Sequence, residues 1–289
     1  MTSEKSSSTA VDAQSTCYDL LATDILAGKT PTCGCCSSEM SNSISPNLYP
    51  ATELEGLPSQ AAQAALGCGN PTTLIELRQG EVVLDLGCGG GIDVLLAARR
   101  IGSNGFVYGI DLSDAMLELA RRNAAEAHVR NVTFLRADIA AIPLPDHSVD
   151  VIISNAVINL VANKQSVFRE AFRVLKPGGR FAALDIVILG GLPAELPDSP
   201  ELRRELSAWM GCILGAPTDE EYRAGLMEVG FTGIGLEITR RYRLVNLGLP
   251  PPGWVMRLGD QLAVRVVRRF TSSLVRATKP AVTRSIKWR

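Results

Sequence analysis

The residues best suited to chemistry in this chain are a glycine-rich turn and a set of cysteines. Residues 81–93, EVVLDLGCGGGID, place Gly87, Gly89 and Gly91 between a short apolar run and an apolar stretch that starts at Val94. This order predicts a strand, a glycine turn and the start of a helix. Glycines let the backbone approach a ligand closely, and the first turn of a helix presents unpaired N–H groups to it. The turn therefore predicts a site for a nucleotide-like ligand.

The spacing of this turn separates two kinds of nucleotide site. A dinucleotide site needs a small residue at position 92, where this chain has Ile92. Asp85 and the glycines instead form D-x-G-x-G-x-G, which resembles the first motif of class I S-adenosylmethionine (SAM) methyltransferases. Residues 106–110 are predicted to form the next strand, and Asp111 follows them as an acid that can accept both hydroxyls of a ribose. The alternative is that Asp111 is a solvated acid at a strand end.

The cysteines are the second reactive group. The chain has seven cysteines and two histidines, which in a reducing compartment favours free thiols, metal ligands or catalysts over structural disulfides. Cys33, Cys35 and Cys36 share a loop with Pro and Gly, and their spacing suits a soft ion, although incidental cysteines in a flexible loop are the alternative. Cys68 lies between two glycines and is expected to be exposed. Cys212 lies in the apolar run AWMGCILGA, where a buried inert cysteine is the alternative.

The composition limits the function classes. A formal charge of −1 argues against general nucleic-acid binding, which needs a surplus of Lys and Arg. No apolar run approaches the roughly 20 residues of a membrane span, and the N-terminus MTSEKSSSTA lacks the apolar region of a signal peptide. We therefore expect a cytoplasmic protein that acts on a small molecule, without nucleic-acid or membrane partners.

These residues must be positioned by alternating strands and helices. Such alternation predicts an α/β fold with a doubly wound, mostly parallel sheet, in which ligands bind outside the carboxyl ends of the strands. Asp138 follows the third strand and can accept a hydrogen bond from an exocyclic amine such as that of adenine. Ser59 is a plausible N-cap of an Ala-rich helix, and KPGG is predicted to be a turn. The predicted strands are residues 82–86, 106–110, 132–136, 149–154 and 180–187, and the predicted helices are residues 17–26, 59–66, 72–77, 94–100, 114–126 and 166–175.

Several separated stretches resemble one family, the arsenite SAM methyltransferases. They are GLPSQAAQAALGCGNP around Cys68, VLDLGCGGGIDVLLAARRIG, GIDLSDAMLELAR, IPLPDHSVDVIISNAVINL, FRVLKPGGRFA, and WMGCILGAPTDEEYRAGLMEVGF around Cys212. The resemblance runs from about residue 49 to 235 and resumes at 271–281. The contexts of Cys68 and Cys212 are its specific part, because the glycine motif and KPGG occur in many methyltransferases.

The resemblance implies a Rossmann-like class I methyltransferase sheet of the seven-stranded type with a C-terminal arsenic-binding addition. It implies methyl transfer from SAM to thiol-bound trivalent arsenic by a monomer, with a thiol reductant, glutathione or thioredoxin, as co-substrate. Cys68 and Cys212 are then arsenic-binding or redox thiols, and Cys35 and Cys36 are further candidate ligands. The implied cofactor contacts are Asp85, Gly87, Gly89, Gly91, Asp111, Met116, Asp138, Ile139 and Asn155.

One position departs from the family. The family normally has ISNCVINL where this chain has ISNAVINL, so Ala156 occupies the place of an arsenic-binding cysteine. Three explanations are open: a third thiol from glutathione or from the Cys33 to Cys36 loop, an engineered variant, or a scaffold adapted to another nucleophile. We favour the first. The rival functions are therefore methylation of an organic thiol or small natural product, and non-catalytic binding of a metalloid by a thiol-rich protein on a SAM fold.

The chain is expected to have four parts. Residues 1–48 are predicted to be a flexible segment with the Cys-rich loop, which assists substrate binding and leaves cofactor binding unaffected. Residues 49–188 are the SAM-binding domain, and residues 189–243 are the arsenic-binding region. Residues 244–289 carry nine Lys and Arg against one acid. We interpret this last part as a solvated face with a strand at 271–278 that closes the domain; a basic patch for a membrane or nucleic acid is the alternative.

Overall fold

The fold is a single mixed sheet with helices on both faces. A computed structural model of the chain describes residue 16 and residues 18–29, 48–196, 215–243 and 260–281. The strands are β1 (Val82–Leu86), β2 (Phe106–Asp111), β3 (Val132–Arg136), β4 (Val149–Asn155), β5 (Leu175–Ile188), β6 (Thr232–Arg241) and β7 (Phe270–Thr278). They form one seven-stranded sheet in the order β3-β2-β1-β4-β5-β7-β6. The pairs from β3 to β5 are parallel, whereas β7 is antiparallel to both β5 and β6. The predicted α/β, mostly parallel fold is confirmed.

In the described ranges, four helices precede β1 and the others lie between strands along the chain. They are α1 (residues 18–26), α2 (Ala51–Leu54), α3 (Ser59–Gln63), α4 (Pro71–Leu74), α5 (Ile92–Ile101), α6 (Asp114–Glu126), α7 (Lys164–Val174), α8 (Asp219–Glu228) and α9 (Asp260–Arg269). None of the helices in the described ranges is long and apolar enough to cross a membrane.

The continuous apolar strands explain why helices cover both faces of the sheet. Adjacent residues of a strand point to opposite faces, and Val83 and Leu84 in β1 accordingly belong to two different core clusters. The first cluster lies against α5 and α6, and the second lies against α7 and α8. Because both faces of β1 are buried, the end of this strand and the glycine turn that follows it are held in a fixed position.

Three local predictions need correction. β5 begins at Leu175 and includes the KPGG stretch, because its pairing with β4 shifts between Val149 and Val151 and a bulge accommodates the extra residues. The N-cap of α3 is Pro58, with no side-chain cap, so Ser59 is the first helical residue. The helix predicted at 72–77 is only α4, which is capped by Asn70 through a hydrogen bond from the Thr72 N–H.

The sheet extends beyond the predicted SAM-binding domain of residues 49–188. β6 and β7 come from the two parts that follow it, and β7 is inserted between β5 and β6. The strand predicted at 271–278 is confirmed as β7, one residue longer at its start. At the other end of the chain, α1 packs through Leu21 and Ile25 against Met116 of α6. The four predicted parts of the chain are therefore not separate folding units. Three of them, residues 49–188, 189–243 and 244–289, contribute strands to the same sheet.

Candidate active site

A cavity of about 220 Å³ opens at the carboxyl ends of the central strands. Its walls are the glycine turn after β1, Asp111 at the end of β2, residues 137–139 after β3 and residues 155–157 after β4. Ligands of parallel α/β sheets bind at this edge because the loops that leave neighbouring strands meet there. The site is thus where the strand order predicts it.

The glycine turn forms part of the cavity floor and contributes no side chain at Gly87 or Gly89. Gly87 and Gly89 have positive φ angles, 71° and 49°, and residues with a side chain rarely adopt such angles. A Cβ on Gly87 would lie 2.6 Å from the side chain of Val157, whereas a Cβ on Gly89 would have no atom within 4 Å and would project into open space. The backbone of Gly89 is therefore accessible to a ligand, and this accessible backbone fits the close approach that a nucleotide-like cofactor needs.

Asp111 is tied to this turn. Its Oδ2 accepts the Gly89 N–H and its Oδ1 accepts the Ser113 N–H, both at 2.9 Å. Burial raises the pKa of Asp111, and the N–H donors of Ser113 and Gly89 oppose that rise. An ionised carboxyl has about four acceptor positions, so Asp111 retains capacity for a hydroxyl of a ligand beside its backbone donors. Its predicted role as a ribose acceptor is compatible with this geometry.

The structure brings together seven of the nine residues proposed as cofactor contacts. Asp85 and Gly91 do not line the cavity. Asp85 is buried inside β1, where burial and then the charges of Asp93 and Asp111 raise the pKa of its carboxyl well above the ordinary value. Gly91 is the N-cap of α5, and a Cβ on it would lie 3.1 Å from the side chain of Ala120 in α6. The seven that line the cavity are Gly87, Gly89, Asp111, Met116, Asp138, Ile139 and Asn155.

Sequence reasoning missed Tyr18, which lines the cavity from α1. The helix is held over the cavity by apolar contacts with Met116 and Leu119 and by a hydrogen bond from Ser113 Oγ to Asp19. This arrangement differs from the expectation that residues 1–48 form a flexible segment apart from the cofactor site. No local signal in the sequence shows which distant helix covers a cavity.

Sequence reasoning also missed Tyr49 and Asp93, which line the cavity. The Tyr49 hydroxyl donates to Asp93 Oδ1 at 3.0 Å, and Asn155 Nδ2 donates to Asp93 Oδ2 at 3.0 Å. Burial raises the pKa of Asp93 to about 6, and the hydrogen bonds from Asn155 and Tyr49 oppose the rise. Burial and the charge of Asp93 raise the pKa of Tyr49 well above its usual range. Asp93 lies two residues after Gly91, so its place in the first turn of a helix at the cavity was a usable signal.

Cys68 lies beside this cavity and is only 4% exposed, so the expectation that it is exposed is wrong. The loop that carries it is covered by an apolar cluster from β5, β7 and α9, including Ile186, Phe270 and Val266. Ala156 belongs to the same cluster and also lines the cavity. The buried environment of Cys68 and the cofactor cavity therefore meet at Ala156.

The other candidate thiols, Cys212, Cys35 and Cys36, lie outside the described residues, as does Cys33. Within the described ranges, no group of three or more His, Cys, Asp or Glu side chains is arranged to hold a metal ion. Cys88 is a second buried cysteine at the cavity, and burial, followed by the charge of Asp111, raises the pKa of its thiol well above the ordinary value. A thiol that resists ionisation is a poor nucleophile.

The cavity has an acidic lining. Among the described residues that form it, Asp93, Asp111 and Asp138 are acids, and Lys, Arg and His are absent. Asp138 is fixed by its own turn, in which the Ala140 N–H donates to its Oδ1 at 2.8 Å. A site with this charge favours a ligand that carries positive charge and donates hydrogen bonds.

Comparison with known proteins agrees with the fold. A family model described as a methyltransferase domain matches residues 77–230, which is more than half of the chain and includes β1 to β5 with the glycine turn. The chain belongs to this methyltransferase-domain family. The predicted class I methyltransferase architecture is confirmed by the family match and the strand order together.

Individual relatives of this methyltransferase are of several kinds. An arsenite methyltransferase of Halobacterium salinarum is 40% identical over 202 residues, which are 70% of this chain and 50% of that protein. A demethylmenaquinone methyltransferase of Listeria monocytogenes is 36% identical over 112 residues, 39% of this chain and 47% of that protein. The crystal structure of an arsenic(III) SAM methyltransferase from Chlamydomonas reinhardtii superposes with a TM-score of 0.63 at 28% identity, covering 82% of this chain and 74% of that one. The chain spans about half the length of the curated relatives it matches.

Proposed function

We propose that the protein transfers a methyl group from SAM to trivalent arsenic held by Cys68 and Cys212. The observation that carries the proposal is the position of Ala156, which lines the cofactor cavity and also packs in the buried cluster around Cys68. A thiol-bound nucleophile and a methyl donor need this proximity, because displacement requires the reacting atoms to approach in line and without intervening water.

The cavity is suited to SAM. The bare backbone of Gly89 and the carboxyl of Asp111 would hold the nucleoside part, with Asp138 near an exocyclic amine. The acidic lining favours a cofactor that carries a sulfonium and an ammonium group. When bound, SAM would supply an electrophilic methyl group, and its sulfur would keep the electron pair of the bond that breaks. The residues of the chain orient this group and exclude water.

The thiol environment is suited to arsenic. Trivalent arsenic is soft and prefers thiolate ligands, which leave its lone pair available for attack on the methyl carbon. No general base is required, because no proton leaves the nucleophile. Methyl transfer converts trivalent into pentavalent arsenic, so a return to the trivalent state takes two electrons from a thiol reductant. Glutathione or thioredoxin would supply them as two thiols become a disulfide.

Two further observations support a role for Cys212. Leu196 and Ala216 lie on either side of the segment that carries Cys212, and both pack in the cluster that contains Cys68. Ala216 follows Cys212 by four residues in the sequence. The names of the relatives from Halobacterium salinarum and Chlamydomonas reinhardtii also favour arsenic as the substrate. The monomeric state, the cytoplasmic location and the identity of the reductant remain predictions.

The test is incubation of the purified protein with labelled SAM, arsenite and glutathione, followed by separation of the arsenic species. Labelled methylarsenic species support the proposal. The match to demethylmenaquinone methyltransferases and the absence of a thiol at Ala156 keep an organic substrate as the rival. Label transferred to an organic thiol or quinol but not to arsenite would establish that rival, and arsenite binding without any transfer would identify a metalloid-binding protein.

A further inference from the structure

We propose that Asp93 is a positioning residue for the substrate thiol: it fixes the side-chain amide of Asn155, and Asn155 fixes the backbone of the loop that carries Cys68. The inference rests on the proposed function, because it assigns Asp93 to the arsenic side of the site. It extends that function by naming the residues that hold the thiol in place.

The first step is the contact between Asn155 and the loop. The Cys68 N–H donates to Asn155 Oδ1 at 2.8 Å, and Asn155 Nδ2 donates to the Gly69 carbonyl at 2.8 Å. A Cβ on Gly67 would lie 2.3 Å from the Asn155 side chain, so the loop backbone packs directly on the amide. Both polar ends of one side chain therefore bind consecutive residues of the loop, as a neighbouring strand would.

The second step is the orientation of the amide. An amide of this kind can turn over and exchange its oxygen and nitrogen, which would place its NH2 group against the Cys68 N–H, donor against donor, and its oxygen against the Gly69 carbonyl oxygen, acceptor against acceptor. Asp93 Oδ2 accepts from Asn155 Nδ2 at 3.0 Å, and an ionised carboxyl can only accept. A reversed amide would place its oxygen against this carboxylate. Asp93 therefore selects the orientation in which Asn155 binds the loop.

Tyr49 completes the arrangement. Its hydroxyl donates to the other carboxyl oxygen of Asp93 at 3.0 Å and lies 3.4 Å from Asn155 Nδ2. Tyr49 is 8% exposed and Asp93 is 5% exposed, so water does not compete freely for these bonds. Each oxygen of Asp93 thus accepts from a side chain, Tyr49 or Asn155, whereas the oxygens of Asp111 accept from backbone N–H groups.

The test compares Asp93→Asn and Tyr49→Phe with the parent protein, and Asp114→Asn is the matched control. Asp93 and Asp114 are both the acid in the first turn of a helix, but the side chain of Asp114 is 77% exposed. Each variant is assayed for SAM affinity by calorimetry, for KM with arsenite and with SAM, and for the rate at which iodoacetamide alkylates Cys68, followed by mass spectrometry of its peptide.

Asp93→Asn is expected to raise the arsenite KM by about tenfold or more, the effect of one lost hydrogen bond to a charged group. SAM affinity should fall by a smaller factor, because the variant also removes one charge from the acidic lining of the cavity. Alkylation of Cys68 should accelerate by a factor similar to that of the arsenite KM. Tyr49→Phe should act in the same direction but less strongly, and it removes only a hydroxyl, so it carries the test if Asp93→Asn does not fold. Asp114→Asn should match the parent.

Two results would overturn the inference. A loss of SAM affinity in Asp93→Asn with unchanged arsenite KM would make Asp93 a cofactor ligand, and unchanged arsenite KM and Cys68 alkylation in both variants would remove any positioning role. Alkylation does not involve arsenic, so it remains informative if arsenite is not the substrate. Failure of the proposed function is recognised separately, by the absence of arsenic methylation in the parent.

Discussion

The backbone N–H of Cys68 donates a hydrogen bond of 2.8 Å to the side chain of Asn155, the last residue of β4. Asn155 also lines the cofactor cavity. One side chain at a strand end therefore connects the cavity with the loop that carries the thiol, although the two residues are 87 positions apart in the chain. The relationship explains how a loop between two short helices can hold a reactive group at a fixed place.

Replacement of Asp111 by Ala is expected to weaken SAM binding by about 10-fold to 150-fold. A hydrogen bond to a charged group contributes roughly 1.5 to 3 kcal/mol, and the Gly89 N–H at the cavity floor also loses its acceptor. Calorimetric titration with SAM measures the effect. Asp114→Ala, which removes an exposed acid three residues away, serves as the control and should bind as the parent does. Equal affinities for Asp111→Ala and the parent would remove Asp111 from the cofactor site.

Replacement of Tyr18 by Ala is expected to weaken SAM binding several-fold, because the variant opens one wall of the cavity. Leu20→Ala is the matched control in the same helix, since Leu20 is 57% exposed and its removal leaves that wall intact. Removal of residues 1–29 should have at least the effect of Tyr18→Ala, contrary to the sequence-based expectation. Unchanged SAM affinity after that truncation would mean that α1 does not contribute to the site.

Much of the fold was predictable because the signals are local. β1 and β3 and helix α6 have the predicted bounds, since each is an apolar or amphipathic run between clear breaks. The cavity residues at the strand ends were accessible for the same reason. Tyr18 was not, because its place depends on how α1 packs on Met116. The burial of Cys68 was also missed, since the elements that cover it, β7 and α9, are distant in the chain.

The stability of the protein should depend on pH through Asp185. This carboxyl is fully buried in β5 and accepts from the Tyr222 hydroxyl at 2.8 Å. Burial raises its pKa from 3.8 to about 7, against the opposing effects of Tyr222 and Lys164. Between these values the folded state keeps a proton that the unfolded state has lost, so the free energy of unfolding falls as pH rises from about 4 to about 7.

Asp185→Asn tests this dependence, because Asn keeps an oxygen for Tyr222 and does not titrate. The variant should gain stability relative to the parent as pH rises through this range. The measurement is urea unfolding of both proteins at several pH values. The raised pKa of Asp93 acts in the same direction in both proteins and cancels in the comparison. Parallel curves for the two proteins would show that Asp185 is not protonated in the folded state.

Restoration of a thiol by Ala156→Cys is expected to be tolerated and to tighten arsenite binding. Ala156 has a φ of 62°, and Cys carries the same Cβ, so the cost of this left-handed backbone does not change. The new sulfur would lie between the cavity and the Cys68 cluster and complete a three-thiol site. Rates against arsenite at several glutathione concentrations should show weaker dependence on glutathione. Ala156→Ser is the matched control, because a hydroxyl of similar size is a poor ligand for a soft ion; equal behaviour of the two variants would contradict this prediction.

The most direct test of the account is arsenic speciation after turnover with labelled SAM for the parent, Cys68→Ser and Cys212→Ser. The parent should form labelled methylarsenic species. Each Ser variant should form none, because a hydroxyl does not replace a thiolate on arsenic, while its affinity for SAM stays that of the parent. Methylation of arsenite by the Cys68 and Cys212 variants at the parent rate would contradict the account, and an organic substrate would then take the place of arsenic.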